Sequence, residues 1–281
     1  MNENITFIIF TYNEEKRIER VIKNLHGHGK ILIADNKSTD NTLAIAKSYG
    51  CDIYIRDKTC VYVETAEMMA ALKQEVTTDW VYWGFADEML ELKTLNEMNR
   101  LIVQDNYDVI SIDRKNYYWG RFCYDAYASR TNKIFKVDAI NFEGNKIHGF
   151  GKLSSDSIRV YDLPSDYFVH HFISNNIESY LNTINRYTNI EASTAIASNY
   201  IPFRIVKLIS SAIINQFFMK NAYKAGTAGL ALVCIQTVYS VINLLKSIEI
   251  NQNLVDGKIE MLNNMKREEI ISYISENGDN E

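Results

Sequence analysis

The sequence predicts an α/β fold: a doubly wound, mostly parallel sheet followed by a C-terminal α-helical extension. Three observations predict it. Runs of β-branched and aromatic residues alternate with helix-length segments through the first half, the pattern of parallel strands joined by crossover helices. Two of those runs end on carboxylates, Asp35 and Asp87, and the carboxyl ends of strands are where open α/β sheets bind ligands. After Pro164 the pattern turns helical.

The elements follow in order. Ile5 to Phe10 is a continuous apolar run, suited to a central strand covered on both faces. Thr11-x-x-Glu14 reads as a capping box for a helix carrying Ile18, Val21, Ile22 and Leu25. Lys30 to Asp35 is a second strand, and a polar loop leads to Asp40, the expected N-cap of a helix that stops at Gly50. Asp52 to Arg56 makes a third strand and Glu64 to Glu75 a third helix. The strand Asp79 to Phe85 then runs into Asp87 and Glu88. Adjacent carboxylates at the end of a buried strand suit a hard cation and the phosphate it carries; the plainer alternative is that Asp87 caps a following helix and Glu88 complements its dipole. A strand from Tyr107 to Ile112 ends near Asp113.

Composition narrows the function. A chain of 281 residues, 47% hydrophobic, can build a sizeable core, and a net charge of -5 argues against nucleic acid as the main partner. Cys51, Cys60, Cys123 and Cys234 lack metal or C-x-x-C spacing and read as reduced, mostly buried thiols of a cytoplasmic protein. The first residues lack the pattern of an export signal. No Gly-x-Gly-x-x-Gly or Walker lysine loop follows the first strand, which argues against hydride-transfer cofactors, P-loop chemistry and sugar nucleotidyl transfer. A nucleotide held through a metal fits what is left.

At these residues the chain resembles a known family. Phe10-Thr11-Tyr12-Asn13-Glu14-Glu15, Ala34-Asp35-Asn36-Lys37-Ser38-Thr39-Asp40-Asn41-Thr42 and Ala86-Asp87-Glu88 are similar, in order and spacing, to the signature series of family 2 glycosyltransferases of the GT-A fold. Ile134-Phe135 followed by Gly144 to His148 is similar to the family's Phe-containing strand and later histidine, while Tyr167 to Phe172, Asn185 to Ala192 and Phe217-Phe218 with Lys224 to Leu230 resemble the subgroup that builds lipopolysaccharide inner core. The resemblance implies transfer of a sugar, usually from a UDP-linked donor, to an acceptor hydroxyl with inversion, assisted by Mg²⁺ or Mn²⁺. It implies that Asp87 holds the metal, that Asp35 reads the base, and that Thr11, Tyr12, Asn13, Glu14, Ser38 and Asp40 form the donor site. Two departures stand out. Relatives carry Asp-x-Asp where this chain has Phe85-Ala86-Asp87, so Glu88 or a residue of another loop replaces the missing acid, or the metal is weakly held, or catalysis is lost and the chain is a silent nucleotide-sugar binder. Met68 and Met69 stand where relatives often place an Arg-Asn pair.

Other residues extend the reading. His148, before a glycine-flanked run, is a candidate metal or diphosphate ligand, or a structural hydrogen bonder. Asp113 and Glu143 are candidates for the base that inversion needs. His170 and His171 follow an apolar strand, where one ring is expected to be buried and hydrogen-bonded. Tyr117, Tyr118, Trp119 and Arg121 lie in an aromatic-dense stretch, read either as an acceptor lip on which sugars stack or as core beneath a loop.

The expected divisions are a catalytic domain over 1-173, a helical extension over 174-250, and a C-terminal helix with an acidic tail over 251-281. Ile177 to Ala197 and a run after Pro202 have helical period, and Ala225 to Leu245 carries no charge. That length could span a bilayer, yet Gly226, Thr227, Gln236, Ser240 and Asn243 dilute it. A peripheral helical appendage facing the inner surface of the cell membrane is the preferred reading, with Arg204, Lys207, Lys220 and Lys224 toward lipid phosphates and a glycan or glycolipid as acceptor. The alternative is a helical pair that packs on the catalytic domain or joins two copies as a homodimer.

Overall fold

A computed structural model describes residues 4-56, 65-145, 149-192, 201-254 and 256-277. Its strands are β1 (Ile5–Thr11), β2 (Lys30–Asp35), β3 (Asp52–Ile55), β4 (Trp80–Phe85), β5 (Glu88–Leu90), β6 (Val109–Tyr118), β7 (Arg121–Phe122), β8 (Ser129–Lys136), β9 (Ile140–Asn141), β10 (Lys152–Leu153), β11 (Val160–Asp162) and β12 (Phe168–Ile173). Its α-helices are α1 (Ile18–Leu25), α2 (Thr42–Ser48), α3 (Ala66–Glu75), α4 (Leu92–Gln104), α5 (Ile177–Ala192), α6 (Ile201–Ser211), α7 (Thr227–Asn251) and α8 (Asp256–Asn277), with a π-helical segment Ala212–Met219 between α6 and α7.

The contacts divide the chain into two compact units, one of Met1–Ser174 with Ile213–Val233, the other of Asn175–Ala212 with Cys234–Glu281. The first unit carries the sheet, whose strands run in the order β3-β2-β1-β4-β8-β6-β12-β5. β3, β2, β1 and β4 are mutually parallel, as the alternation of strands and helices predicts. β8 is antiparallel to both β4 and β6, and β5 is antiparallel to β12, so the sheet is mixed beyond β4. β4 and β5 are separated by only two residues, Ala86 and Asp87, yet stand four places apart in strand order. A link that short forces the intervening strands to curl, and Asp87 lies where the curl closes.

Helices cover both faces. Phe7, Ile9, Ile31 and Ile33 pack with Ile18, Val21 and Ile22 of α1 and Leu95, Met98 and Leu101 of α4. Ile8, Phe10, Leu32, Val81 and Trp83 pack with Met68, Met69 and Leu72 of α3 on the other side. Strand side chains alternate between faces, so an unbroken apolar run such as β1 supplies both cores. Each fully buried Ile or Phe adds about 1.5–3 kcal/mol of hydrophobic stabilisation. Met68 and Met69 are therefore core residues.

Several sequence expectations are corrected. Thr11 ends β1 and does not cap a helix; α1 begins at Ile18, and its first turn is entered through the Glu14 carbonyl, which accepts from the Arg17 and Ile18 amides. Asp87 caps nothing either, because β5 follows it and α4 starts only after Glu91. The strand predicted to stop at Ile112 continues to Tyr118, and β12 lies beyond Pro164, deep in the sheet order. Cys123 is buried and Cys51 half-buried, but Cys234 is exposed. Cys60 and Glu64, with the end of the helix predicted to reach Ala197, lie outside the described residues.

In the second unit α5 and α7 are joined by polar contacts. Gln236 Nε2 donates to the Tyr180 hydroxyl (2.7 Å), Asn243 Nδ2 to Glu191 Oε2 (2.8 Å), and Lys246 Nζ to the Asn185 and Asn189 side-chain oxygens (2.6 Å each). The polar residues that interrupt the uncharged stretch of α7 are thus used in helix pairing. By length and composition α7 could still cross a membrane.

Candidate active site

The parallel register of β1 with its two neighbours builds the site. Thr11 of β1 is level with Asp35 of β2, and Phe10 with Phe85 of β4, so Asp35 and Asp87 share one rim. Two loops leave that rim, residues 11-15 and 35-42, and they are knitted together. Asp35 accepts from Thr11 Oγ1 (2.7 Å), Ser38 N (2.7 Å) and Ser38 Oγ (2.6 Å). The Asn13 amide donates to Ser38 Oγ (2.8 Å) and the Thr39 amide to Asn13 Oδ1 (2.8 Å). Asp40 accepts from the Glu15 and Thr42 amides, 3.1 and 3.0 Å, and the Glu14 amide donates to Thr42 Oγ1 (2.7 Å). Asn13 has φ 56°, a left-handed conformation that its short amide side chain tolerates.

Asp35, expected to read a base, is 0% exposed and accepts protein hydrogen bonds at both carboxylate oxygens, which fixes the shape of the two loops. Tyr12, 56% exposed, is an aromatic side chain offered at their surface.

Glu14 faces the interior of the rim. Burial is the main cause that raises its carboxyl to about 7, with Asp87 and Asp40 adding to the rise and the Arg17 guanidinium, 2.6 Å away, opposing it. The field of Asp87 reaches Glu14 and that of Arg17 reaches Asp87, which ties the loop at 11-15 to the closing point of the curl.

Asp87 lies between Phe85 and β12. Its carbonyl accepts from the Phe172 amide (2.8 Å), and its Oδ2 is 3.3 Å from His171 Nε2. Its Oδ1 is buried with no hydrogen-bond partner among the described residues. Burial pushes this carboxyl up, but His171, Arg114 and Arg17 outweigh it and hold the group below the usual carboxylate range. A carboxylate kept ionised, with one oxygen uncommitted beside an imidazole, suits Mg²⁺ or Mn²⁺, which take oxygen and nitrogen donors and leave positions for phosphate and water. Asp87 and His171 therefore fit a divalent cation, although no group of three or more His, Cys, Asp or Glu side chains gathers among the described residues. His148, the expected second ligand, lies outside them.

Glu88 is a correction. It points into the curl, 3% exposed, with Lys133 Nζ at 2.7 Å from Oε2 and Arg114 Nε at 2.8 Å from Oε1. Lys133 is fully buried, also donates to the Trp83 carbonyl (2.9 Å), and is ringed by Tyr82, Phe85 and Phe150. Burial drives the Lys133 ammonium below its ordinary value while Glu88 pulls it back up. Glu88 thus balances a buried cation and does not replace the missing acid at Phe85.

The remaining candidates separate. Asp113 is mid-strand, bidentate to Arg130 (2.8 and 3.0 Å). Strand alternation turns it away from Arg114 and Asn116, which face the site, so it is not placed as a base there. Glu143 is exposed on the turn after β9. Tyr118 is buried, and Tyr117 stacks on Phe172 with its hydroxyl 3.0 Å from His170 Nδ1; both rings belong to packing. Trp119, 52% exposed, and Arg121 remain available at the tip of the β6-β7 hairpin. His170 turns to Glu91 (3.2 Å) while its neighbour turns to Asp87. Sequence reasoning missed Asn116, Arg114 and Lys133, and named His171 only as one of a pair in which one ring is expected to be buried; that pair lies within β12 and not beyond its end.

Comparison with known proteins bears on this geometry. An uncharacterized glycosyltransferase of Rickettsia typhi (strain ATCC VR-144 / Wilmington) is 30% identical over 109 residues, 38% of this chain and 36% of the relative. One from Rickettsia conorii (strain ATCC VR-613 / Malish 7) is 29% identical over the same length, 38% of this chain and 37% of its own. The match thus spans little over a third of these relatives. Among solved structures, S. aureus TarS 1-349 in complex with UDP-GlcNAc aligns over 90% of this chain and 95% of its own, at 16% identity and TM-score 0.47. The mannosyltransferase PcManGT from Pyrobaculum calidifontis, in complex with GDP-Man and Mn²⁺, aligns over 89% and 87%, at 15% identity and TM-score 0.47. The family model described as Glycosyl transferase family 2 matches residues 6–153, over half of the chain and the part that carries both rim carboxylates, and the chain belongs to that family.

Proposed function

We propose that this chain transfers a sugar from a nucleotide diphosphate sugar, UDP-linked, to a hydroxyl of a cell-envelope glycan or glycolipid such as a lipopolysaccharide inner core, with inversion at the anomeric carbon. The observation that carries the reading is Asp87: an ionised carboxylate with one uncommitted buried oxygen, at the rim from which the 11-15 and 35-42 loops rise. Asp87 and His171 would hold the cation, which when bound supplies Lewis-acid stabilisation of the departing diphosphate. The loop tied by Asp35, Ser38 and Asn13 would present Tyr12 to the base, and Arg17 and Arg114 add positive field where charge develops. In the displacement the acceptor oxygen bonds to the anomeric carbon, the bond from that carbon to the diphosphate breaks, and the acceptor proton passes to a base. Trp119 and Arg121, exposed at the tip of the β6-β7 hairpin, are the side chains we assign to the acceptor.

The test is turnover by the purified chain with UDP-sugars and Mn²⁺. Asp87→Ala is expected to lower transfer or donor hydrolysis by about 10²–10³-fold, the loss of several kcal/mol at the diphosphate. Phe85 motivates the second reading, a silent binder. Its ring packs 5.7 Å from Phe10 and 4.9 Å from the Lys133 ammonium, at the position where the resemblance implies an acid. Donor binding without turnover across donors and acceptors would establish that reading in place of the first.

We further place the acceptor at a membrane surface on the cytoplasmic side. From 192 to 248 the chain has no acidic residue and has Arg204, Lys207, Lys220, Lys224 and Lys246, within a chain of net charge -5. Ile214, Phe218, Met219 and Tyr223 are exposed beside Lys220 and Lys224. The same segment supports the hairpin that carries Trp119, through Gln216 Oε1 accepting from the Tyr127 amide (2.8 Å).

A further inference from the structure

Asn116 holds three partners at once. Its Nδ2 donates to the backbone carbonyls of Ala126 (3.2 Å) and Tyr127 (3.0 Å), and its Oδ1 is 2.7 Å from His171 Nδ1. The orientation of the amide is fixed chemically, because only the NH₂ end can face two carbonyl oxygens. Oδ1 has no hydrogen to give, so His171 Nδ1 must donate. The pair is set by the sheet: His171 and Asn116 are register partners across β12 and β6, and a parallel pair places them on the same face.

With Nδ1 committed to Asn116, Nε2 is the nitrogen turned to Asp87 Oδ2, 3.3 Å away, and the other oxygen of the same carboxylate is buried and unpartnered among the described residues. A proton on Nε2 pairs with the carboxylate; a divalent cation held between the two would take that proton's place and leave the ring neutral, with its hydrogen on Nδ1. Asn116 itself is buried and touches neither the rim loops nor Asp87 through any described hydrogen bond.

We propose that Asn116 is a positioning residue: it fixes His171 in the Nδ1–H tautomer, aims Nε2 at the Asp87 carboxylate as a cation ligand, and ties that aim to the 123-128 loop beside the acceptor hairpin. Outer hydrogen bonds of this kind orient a ligating imidazole and raise its basicity. The inference deepens the cation-binding part of the proposed function, and its first readout is independent of sugar transfer.

The experiment is ¹⁵N NMR of the histidine rings in the full chain, with His171→Gln identifying the His171 signals among the five histidines. The expected result with Mg²⁺ and UDP is hydrogen on Nδ1 and a bare, shifted Nε2. A ring that carries its hydrogen on Nε2, or one that stays doubly protonated with Mg²⁺ and UDP present, overturns the proposal. The second readout is Mn²⁺ affinity in the presence of UDP, by electron paramagnetic resonance. Asn116→Leu is expected to weaken it by about 10–100-fold, whereas Asn116→Asp, which keeps an acceptor for Nδ1 but loses both donations to the loop, is expected to retain it. Equal loss in both variants would mean that Asn116 acts only by holding the loop, and no loss in either would mean that it does not act on the ring; both outcomes overturn the assignment. If Asn116→Leu does not fold, the tautomer of the unaltered chain decides.

Discussion

Glu14 shows what a single carboxyl undergoes when a loop turns it inward. Its value rises from 4.5 to about 7 chiefly through burial. A raised carboxyl binds its proton more tightly in the folded chain, so its contribution to stability is complete below about 4.5 and is lost as pH rises through about 7. Glu14→Gln, which cannot ionise, escapes that loss. Thermal unfolding should therefore show the variant equal to the natural chain near pH 4 and more stable by pH 8, by up to about 3 kcal/mol. A gap that closed as pH rose would contradict the burial of this carboxyl. Asp87 has the opposite sign: its depressed value favours folding above the unfolded value and that advantage is lost in acid.

At the scale of elements, the curl from β4 to β5 closes over charge. Glu88, Lys133 and Arg114 come from three strands, β5, β8 and β6, and meet because two residues connect β4 to β5. A paired buried charge offsets its desolvation; an unpaired one does not. Lys133→Met leaves Glu88 with Arg114 as its charged partner beside the Phe85 amide and Tyr82 hydroxyl, and it is expected to cost about 3–5 kcal/mol in urea unfolding. Adding Glu88→Gln should recover part of that cost by removing the carboxylate. A double variant as unstable as the sum of the singles would show that the two charges are not coupled. The three hydrogen bonds to Asp35 illustrate the reverse case, in which neutral donors from Thr11 and Ser38 satisfy one buried carboxylate and set the loops' shape.

For the whole molecule, charge is distributed unevenly along the chain. An acid-free run of basic and apolar residues within an acidic protein should bind vesicles containing anionic phosphatidylglycerol and not vesicles of phosphatidylcholine alone. Flotation should show this binding weakening with salt, since exposed charges are screened within about 10 Å at 0.1 M. Lys220→Glu with Lys224→Glu should abolish most of it, at about 1 kcal/mol for each lysine near the surface. Binding that ignored both lipid charge and salt would refute an electrostatic membrane contact. Residues 213-233 belong with the sheet-bearing unit even though they follow α5 and α6 in the chain.

The linear chain by itself determined the alternating strands and helices, the placement of Asp35 and Asp87 at strand ends, and the family resemblance through the motifs at 10-15, 34-42 and 86-88. These are local: period, capping residues and motif order are written within a few residues of one another. Only the tertiary structure decided which carboxylate is offered and which is sealed. Asp35 and Glu88 look as available as Asp87 in the sequence, but donors 24 and 45 residues away, Thr11 and Lys133, occupy them. His171 and Asn116 are 55 residues apart and become partners because β12 lies beside β6. Contacts of that separation arise from strand order and the curl of the sheet, which no local pattern specifies.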